Sequence, residues 1–402
     1  MDAVSYRAIL RLDAVGELLL AALLARLAKR MFGLVLVLYV LHQFHSPFLA
    51  GCAGFVALAP GLAISPIAGA LLDRAGPAWG IAADMACSAG CMLALAWQSM
   101  ARLDSVIPVL CLAALFSLTN PLSGAGVRTL LPSLVQAAAR SRANALDTSI
   151  YAAVDVCGPA LAGALTGLAG ATTALFSIAA LYGAAGISLL PALRRRAQTP
   201  WMWRQGLLGD AAAGVAYVLR HPSLRPLALG YATFNMGWGI LLVAVPVFVL
   251  RALGGGANAD LVVGLLWAAS GVAAAAGALL VGHHVVPGRE RGLMMAGMVA
   301  TAIAVWPVCV GFGLPGMAIG LMLVGVLAGP VDVGVLTLRQ NRTDPAWLGR
   351  VIAVSMGLNL SGAPVGFALG GMLLSWSVQA AFVTSALACC AGALALHWIP
   401  RR

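Results

Sequence analysis

The chain has 402 residues, of which 61% are hydrophobic and only 9% are charged. A soluble domain needs about 25% charged residues to cover its surface, so this composition excludes a cytosolic enzyme, a nucleic-acid-binding domain and a disordered protein. The net charge of +11 therefore does not indicate a nucleic-acid partner. The expected environment is the lipid bilayer.

Twelve apolar runs follow one another along the chain. Each is near the length of about 20 residues that a helix needs to cross a bilayer core about 30 Å thick. Several of the connections are short, as between antiparallel neighbours in a bundle. The sequence therefore predicts an all-α membrane protein with twelve transmembrane helices. The predicted spans lie near residues 16–42, 48–72, 78–100, 105–131, 143–169, 171–193, 226–251, 260–282, 291–313, 314–338, 349–374 and 377–399.

Lysine and arginine residues are distributed very unevenly between the two ends of these spans. Of the 24, eighteen fall on one side, only Arg102 and Arg251 fall on the other, and four lie within spans. Loops rich in lysine and arginine stay in the cytoplasm. The predicted location is therefore the bacterial cytoplasmic (inner) membrane, with both termini in the cytoplasm.

The two halves of the chain resemble each other. The sequence Gly-Ala-Leu-Leu at 69–72, after the second span, recurs at 277–280, after the eighth. Such a repeat predicts two pseudo-symmetric six-helix bundles, the architecture of alternating-access transporters, which hold their substrate between the halves. The predicted domains are an N-terminal bundle at 1–193, a cytoplasmic central loop at 194–225 and a C-terminal bundle at 226–402.

Three motifs carry a family resemblance. The sequence Gly-Ala-Leu-Leu-Asp-Arg-Ala-Gly at 69–76 resembles the G-x-x-x-D-R-x-G loop of the major facilitator superfamily. Gly-Pro-Ala-Leu-Ala-Gly at 158–163 is similar to the G-P-x-x-x-G element of its antiporters. Residues 214–225 resemble the loop before span seven in the drug–proton antiporter branch, which contains macrolide-efflux and enterobactin-export proteins. The resemblance implies a monomeric transporter of a small molecule.

The resemblance also implies a gating role for the first two of these motifs. A carboxylate in the loop, here Asp73, can meet the positive N-terminal end of a neighbouring helix and lock the cytoplasmic side shut. Proline in a span permits a kink, and small residues allow close helix packing. The alternatives are an ordinary polar turn and ordinary packing. The candidate gating residues are Gly69, Asp73, Arg74, Gly76, Gly158, Pro159 and Gly163.

Three cations in the middle of the first span are the strongest indication of a functional site. Arg26, Lys29 and Arg30 have the spacing i, i+3 and i+4, so they share one helix face. A charge at mid-bilayer costs about 2.5–3.5 kcal/mol. The three side chains are therefore expected to face a cavity, where they bind an anionic part of the substrate, or to pair with buried acids.

Few acidic residues are placed to serve this cluster. Asp155 in span five and Asp332 in span ten are candidates to pair with it and to exchange a proton, and Glu17 is the nearest acid in span one. Asn235 and Asn359, at intramembrane depth, are further substrate-binding candidates. The alternative is an ion-pair network that is only structural.

The sequence thus predicts a secondary active transporter, most simply a proton-driven exporter of a small amphipathic or anionic compound. One alternative is a proton-coupled importer of an organic anion or a siderophore-like molecule. Another is a non-transporting receptor or scaffold, for which buried charges would serve no purpose. No motif for enzymatic catalysis, ATP hydrolysis or a cofactor was found. His42 and His45 offer no third ligand nearby for a metal.

Overall fold

The computed structural model describes residues 9–400 except residues 11, 13, 104, 137–138, 197–206, 283–288 and 345–347. These described residues form helices and turns and no strand. The helices are α1 Val15–Phe44, α2 Pro47–Val56, α3 Ala59–Ala75, α4 Pro77–Met100, α5 Val106–Leu134, α6 Arg140–Arg196, α7 Leu207–Arg220, α8 Leu224–Leu253, α9 Ala257–Gly282, α10 Glu290–Ile303, α11 Gly313–Arg342, α12 Leu348–Leu360, α13 Gly362–Leu374 and α14 Val378–His397. Between α10 and α11, residues Ala304–Val308 form a π-helical turn and Cys309–Gly311 form a last helical turn.

Helix length and hydropathy identify the membrane spans. Ten stretches of the described residues are long and apolar enough to cross a membrane. One of them, Arg142–Pro191, has 50 residues, and its backbone bends at Gly170, where φ is 83°. Because one span needs about 20 residues, this stretch holds two. With α1, whose 30 residues extend about 45 Å, the described residues contain twelve spans. The predicted all-α membrane fold is confirmed.

Two of the predicted spans are broken rather than continuous. The span predicted at 48–72 consists of α2 and α3, and the one predicted at 349–374 consists of α12 and α13. Pro60 and Pro364 each lie four residues after the last residue of α2 and α12, respectively. A proline has no N–H for the carbonyl four residues earlier, and its ring clashes with that carbonyl. Both α2 and α12 therefore end four residues before a proline.

The chain divides into two compact units. The first comprises Met1–Val35 and Pro60–Leu208, and the second comprises Leu36–Ala59 and Gly209–Arg402. The boundary passes through α1 and assigns α2 to the second unit, so it differs from a division at mid-chain. The two predicted six-helix domains and their central loop stay a prediction.

An aromatic row fixes α1 within the first unit. The ring of Phe32 on α1 lies 4.6 Å from that of Phe116 on α5, which lies 6.2 Å from that of Tyr182 on α6. All three side chains are buried, and aromatic pairs at such distances add to the stability gained by burying their area. Phe32 follows Arg30 by two residues, so the same contacts hold the cationic segment of α1 beside α5 and α6.

Glycines allow close helix crossings in the second unit. A Cβ atom at Gly366 on α13 would lie 2.1 Å from the carbonyl oxygen of Met236 on α8. Similarly, a Cβ at Gly51 on α2 would lie 2.7 Å from the Cα of Gly371 on α13. Backbones pack this closely only where both helices present small residues. The second unit is thus held together by backbone contacts as well as by side chains.

The described part of the predicted central loop ends at the start of α8. His221 Nδ1 accepts hydrogen bonds from the backbone N–H groups of Ser223, at 3.2 Å, and Leu224, at 3.3 Å. Burial and, to a lesser extent, the charge of Arg342 lower the pKa of His221 below its ordinary value. The ring therefore favours the neutral form, which can accept the two hydrogen bonds.

Candidate substrate-binding site

The three cations of α1 lie near the middle of this 30-residue helix, within the first unit. Lys29 and Arg30 are exposed on the protein surface and Arg26 is partly buried. Their spacing places all three on one helix face, as the sequence indicates. Each has a different partner, however, so the three cations do not form one uniform positive surface.

Arg26 is held by two residues of α6. Its guanidinium lies 2.8 Å from Asp147 Oδ1 and also donates a hydrogen bond of 3.2 Å to the backbone carbonyl of Asp147. Its Cζ lies 3.8 Å from the centre of the Tyr151 ring, a cation–π contact. The side chains of Arg26 and Asp147 are only 11% and 13% exposed. This pair has the geometry of a structural link between α1 and α6.

Lys29 binds an amide rather than a carboxylate. Its Nζ donates a hydrogen bond of 2.5 Å to Asn120 Oδ1 on α5. The carboxyl of Asp84 on α4 interacts with the Lys29 charge and is 1% exposed. Asp84 Oδ1 accepts a hydrogen bond of 3.3 Å from Ser88, while its Oδ2 accepts none from the residues described. A buried acid therefore lies behind the cationic face.

Arg30 and Asp155 form an exposed ion pair, which we call the open ion pair. Arg30 Nε lies 2.5 Å from Asp155 Oδ1, and the two side chains are 55% and 43% exposed. The predicted pairing of the cluster with Asp155 is thus present. Because an exposed pair contributes only about 0–1 kcal/mol, a ligand can replace its contacts at small cost. Of the two arginines, Arg30 is the one available to bind another molecule, because Arg26 is held in a buried pair.

The Gly158-Pro159 element lies directly beside this pair. A Cβ atom at Gly158 would lie 2.6 Å from Arg30 Cβ, so glycine is what lets α6 approach α1 here. Pro159 follows Asp155 by four residues and cannot donate to its backbone carbonyl, although α6 continues through this point. The element predicted to gate thus positions Arg30 and Asp155, while its gating role and that of Gly163 stay a prediction.

The other polar candidates belong to the second unit. Asp332 on α11 accepts a short hydrogen bond from the Tyr231 hydroxyl on α8. Asn235 donates to the backbone carbonyl of Tyr231 on its own helix, at 3.1 Å. Asn359 is 6% exposed, and its side-chain oxygen accepts a hydrogen bond of 2.6 Å from Arg339 when its amide is oriented to satisfy both partners. Their predicted roles in binding and proton exchange are not tested by these contacts.

The loop motif comprises the last two turns of α3 and Gly76, which connects α3 to α4. Gly69, Asp73 and Arg74 lie in α3, and Gly76 has a φ of 86°, which favours glycine and lets α4 begin at once with Pro77. The side chains of Asp73 and Arg74 lie outside the part of the structure that is described. Their gating role therefore stays a prediction.

Two further candidates lie near the ends of α1. Glu17 is in the first turn, nine residues before Arg26, which is about 14 Å along the helix. His42 is in the last turn, and its Nε2 lies 2.8 Å from Asp260 Oδ1 on α9. The described residues bring no third histidine, cysteine or acid to this pair.

Sequence reasoning missed four residues of the site: Asp84, Asn120, Asp147 and Tyr151. An acid within a predicted span, as Asp84 and Asp147 both are, was the one signal available in the sequence, because such a residue costs several kcal/mol unless it is used. Asn120 and Tyr151 were not distinguishable from ordinary polar residues, since their value depends on which face of α5 or α6 meets α1.

A comparison with protein families decides the class. The family model described as Major Facilitator Superfamily matches residues 18–287. The chain belongs to the major facilitator superfamily. It is also 45% identical over 403 residues to a protein described as uncharacterized MFS-type transporter y4rN from Sinorhizobium fredii, covering 99% of this chain and 97% of the relative. The protein is therefore a multi-pass membrane transporter by family.

Solved structures of this superfamily confirm the fold. A bacterial homologue of the iron transporter ferroportin, in an inward-facing state, matches with a TM-score of 0.76 at 16% identity, over 96% of this chain and 99% of that one. The nucleoside transporter NupG matches with a TM-score of 0.72 at 13% identity, over 96% and 98%. The human organic anion transporter MFSD10 matches with a TM-score of 0.64 at 17% identity, over 96% and 99%. At these identities the likeness establishes the fold alone.

Proposed function

We propose that this protein is a proton-coupled exporter of a small amphipathic compound that carries an anionic group. The observation that supports it best is the open ion pair of Arg30 and Asp155 near the middle of α1. Charged side chains inside a membrane are costly and generally mark a transport pathway or a proton relay. Arg30 supplies the cation for the substrate, and Asp155 supplies a carboxyl that takes up and releases a proton.

The resemblance of residues 69–76, 158–163 and 214–225 to the drug–proton antiporter branch supports export rather than import. In this proposal two six-helix bundles alternate access to the site, and Asp73 and Arg74 close the cytoplasmic end. Asp332 and Glu17 are further candidates for proton exchange, with Asn235 and Asn359 as further substrate contacts. The protein works as a monomer in the inner membrane. Both termini lie in the cytoplasm, as the distribution of arginine indicates.

Accumulation in everted membrane vesicles tests this function. Vesicles with an acidic lumen are given a panel of labelled amphipathic compounds, and uptake is compared with that of vesicles lacking the protein. We expect accumulation that a protonophore abolishes. Uptake found only in right-side-out vesicles would indicate the importer instead, and the absence of flux in both orientations would indicate a receptor or scaffold.

Two variants test whether that accumulation depends on Arg30 and Asp155. Arg30→Gln and Asp155→Asn should each lower the initial rate at least about tenfold, since each removes one charge on which binding depends. The matched control is Arg289→Gln, because Arg289 is an exposed arginine directly before α10, outside the spans and outside the three family motifs. Transport rates in both site variants equal to that of the control variant would contradict the proposal.

A further inference from the structure

The charges around Arg30 restrict what kind of compound this transporter can exchange for a proton. A ligand that arrives at the site meets an ion pair and not a free cation, because Arg30 Nε already lies 2.5 Å from Asp155. The neighbouring cations are also engaged, Arg26 by Asp147 and Lys29 by Asn120. A charged ligand that binds Arg30 must therefore replace a partner of an existing ion pair.

A compound with only a negative charge would cross the membrane in the same direction as the proton, whereas export requires the opposite direction. Such an anion takes Arg30 and leaves the Asp155 carboxylate without its partner and next to a second negative charge, which is unfavourable. Protonation of Asp155 removes that penalty. By linkage, each of the two ligands then increases the affinity for the other, so the anion and the proton travel together. That is symport, whereas an exporter must exchange them.

A compound with only a positive charge would compete with the proton for Asp155, as exchange requires. It would, however, leave Arg30 without a partner. The guanidinium cannot relieve this by losing its proton, because arginine stays charged in proteins. A simple cation is therefore a poor ligand for the pair.

A zwitterion satisfies both requirements. Its anionic group binds Arg30 and its ammonium group binds Asp155, so neither side chain is left unpaired. A proton on Asp155 removes the partner of the ammonium group, and the ammonium group excludes the proton. We therefore propose, on the basis of the proposed function, that the exported compound is zwitterionic, with Asp155 as the shared site of its cationic group and of the proton.

The surrounding charges disfavour a ligand with a net positive charge. From α1, Arg26, Lys29 and Arg30 face the site; Asp147 and Asp155 face it from α6, Asp84 from α4 and Arg128 from α5, where Arg128 Cζ lies 5.9 Å from the centre of the Tyr151 ring. A zwitterion replaces one cation–carboxylate contact by two and changes none of the other charges. A cation adds to the excess of one positive charge that these four cations and three carboxylates formally carry, whereas a zwitterion leaves that excess unchanged.

The packing also limits how far apart the two ligand charges can be. Glycine at 158 brings the backbone of α6 against Arg30 Cβ, at the distance where an added Cβ would come within 2.6 Å. The two helices are in contact next to the ion pair, so Arg30 and Asp155 cannot separate widely. We expect a compound whose charges are a few bonds apart, as in an α- or β-amino acid, attached to an apolar body.

Matched triplets of one apolar body test the inference in everted vesicles. The first triplet is phenylalanine, N-acetylphenylalanine and phenylalaninamide, which are a zwitterion, an anion and a cation. Every compound of the panel that wild-type vesicles export is tested in the same way, beside its own acylated or amidated derivative. We expect the zwitterion of an exported triplet to be transported at least about tenfold faster than either derivative. When both sides are acidified with the pH difference kept constant, its apparent KM should rise while the maximal rate is unchanged.

Ligand-induced thermal stabilisation of purified variants tests the two contacts without requiring transport. Asp155→Asn should bind the anionic member of the triplet in preference to the zwitterion, and Arg30→Gln should bind the cationic member. Circular dichroism shows that each variant is folded. If Asp155→Asn keeps the wild-type preference for the zwitterion, the inference is wrong.

The possible outcomes separate this inference from the proposed function. Export of compounds that carry one charge only, or a KM that falls on acidification, overturns the inference and leaves proton-coupled transport intact. Absence of any export by wild-type vesicles contradicts the proposed function, and the inference fails with it.

Discussion

Arg26 and Arg30 lie four residues apart on one face of α1 but have different surroundings. Arg26 is bound to Asp147 by an ion pair and by one hydrogen bond to its backbone carbonyl, packs on the Tyr151 ring and is 11% exposed. Arg30 has a single ion pair and is 55% exposed. Removing one partner of a buried pair leaves the other charge uncompensated, whereas an exposed pair contributes little to stability.

These differences predict that the two arginines separate stability from transport. Arg26→Gln should lower the free energy of unfolding by about 3 kcal/mol, and Arg30→Gln by less than about 1 kcal/mol. The change is measured as the shift in the melting midpoint of the purified proteins in one detergent. Relative to the stability that each variant loses, Arg30→Gln should lower the transport rate more than Arg26→Gln does. Equal loss of stability in the two variants would contradict the structural role given to Arg26.

The sequence predicted part of this site at the level of residues. The three cations were evident because a charge inside an apolar run is rare and costly, and Asp155 was expected as a partner because of its depth in span five. Asp147 was not predicted as the partner of Arg26, since the choice among acids depends on how α6 rotates against α1. That rotation is fixed by packing, such as the close approach at Gly158, which has no signature in a single sequence.

At the scale of helices, prolines had two different effects that the sequence did not distinguish. Pro159 lies inside α6 without interrupting it, whereas α2 and α12 end four residues before Pro60 and Pro364. A proline either kinks or ends a helix, and tertiary contacts decide which. At the break before α13 the contact is unusually tight, because a Cβ at Gly362 would lie 1.7 Å from the carbonyl oxygen of Ala232.

The crossing of α2 and α13 provides a test of packing at this scale. Gly371→Ala would place a methyl group 2.8 Å from both Gly51 Cα and the Pro47 carbonyl oxygen. Since backbone atoms cannot give way as a flexible side chain can, we expect a loss of about 2 kcal/mol in stability, seen as a lower melting midpoint in detergent.

Gly183→Ala is the matched control for this prediction, because nothing lies within 4 Å of its added Cβ in α6. It should leave the midpoint unchanged or raise it slightly, since alanine favours helix more than glycine does. A Gly371→Ala protein as stable as the Gly183→Ala protein would show that the two helices do not pack as described.

For the whole molecule, composition and periodicity predicted the fold class correctly, because a chain with 9% charged residues has few ways to bury its surface other than in a membrane. The division into units was less predictable. Residues 36–59 group with the second unit although they precede the midpoint of the chain. A sequence repeat indicates which segments are equivalent, but contacts between segments determine how compact units form.

The central claim is that Asp155 exchanges a proton for the transported compound. It is tested most directly by the lumenal pH of energised everted vesicles, followed with a pH-sensitive dye when an exported compound is added. The account predicts that the lumen becomes more alkaline in proportion to the compound taken up, and that Asp155→Asn vesicles show no such change. Accumulation of the compound by wild-type vesicles with an unaltered lumenal pH would contradict it.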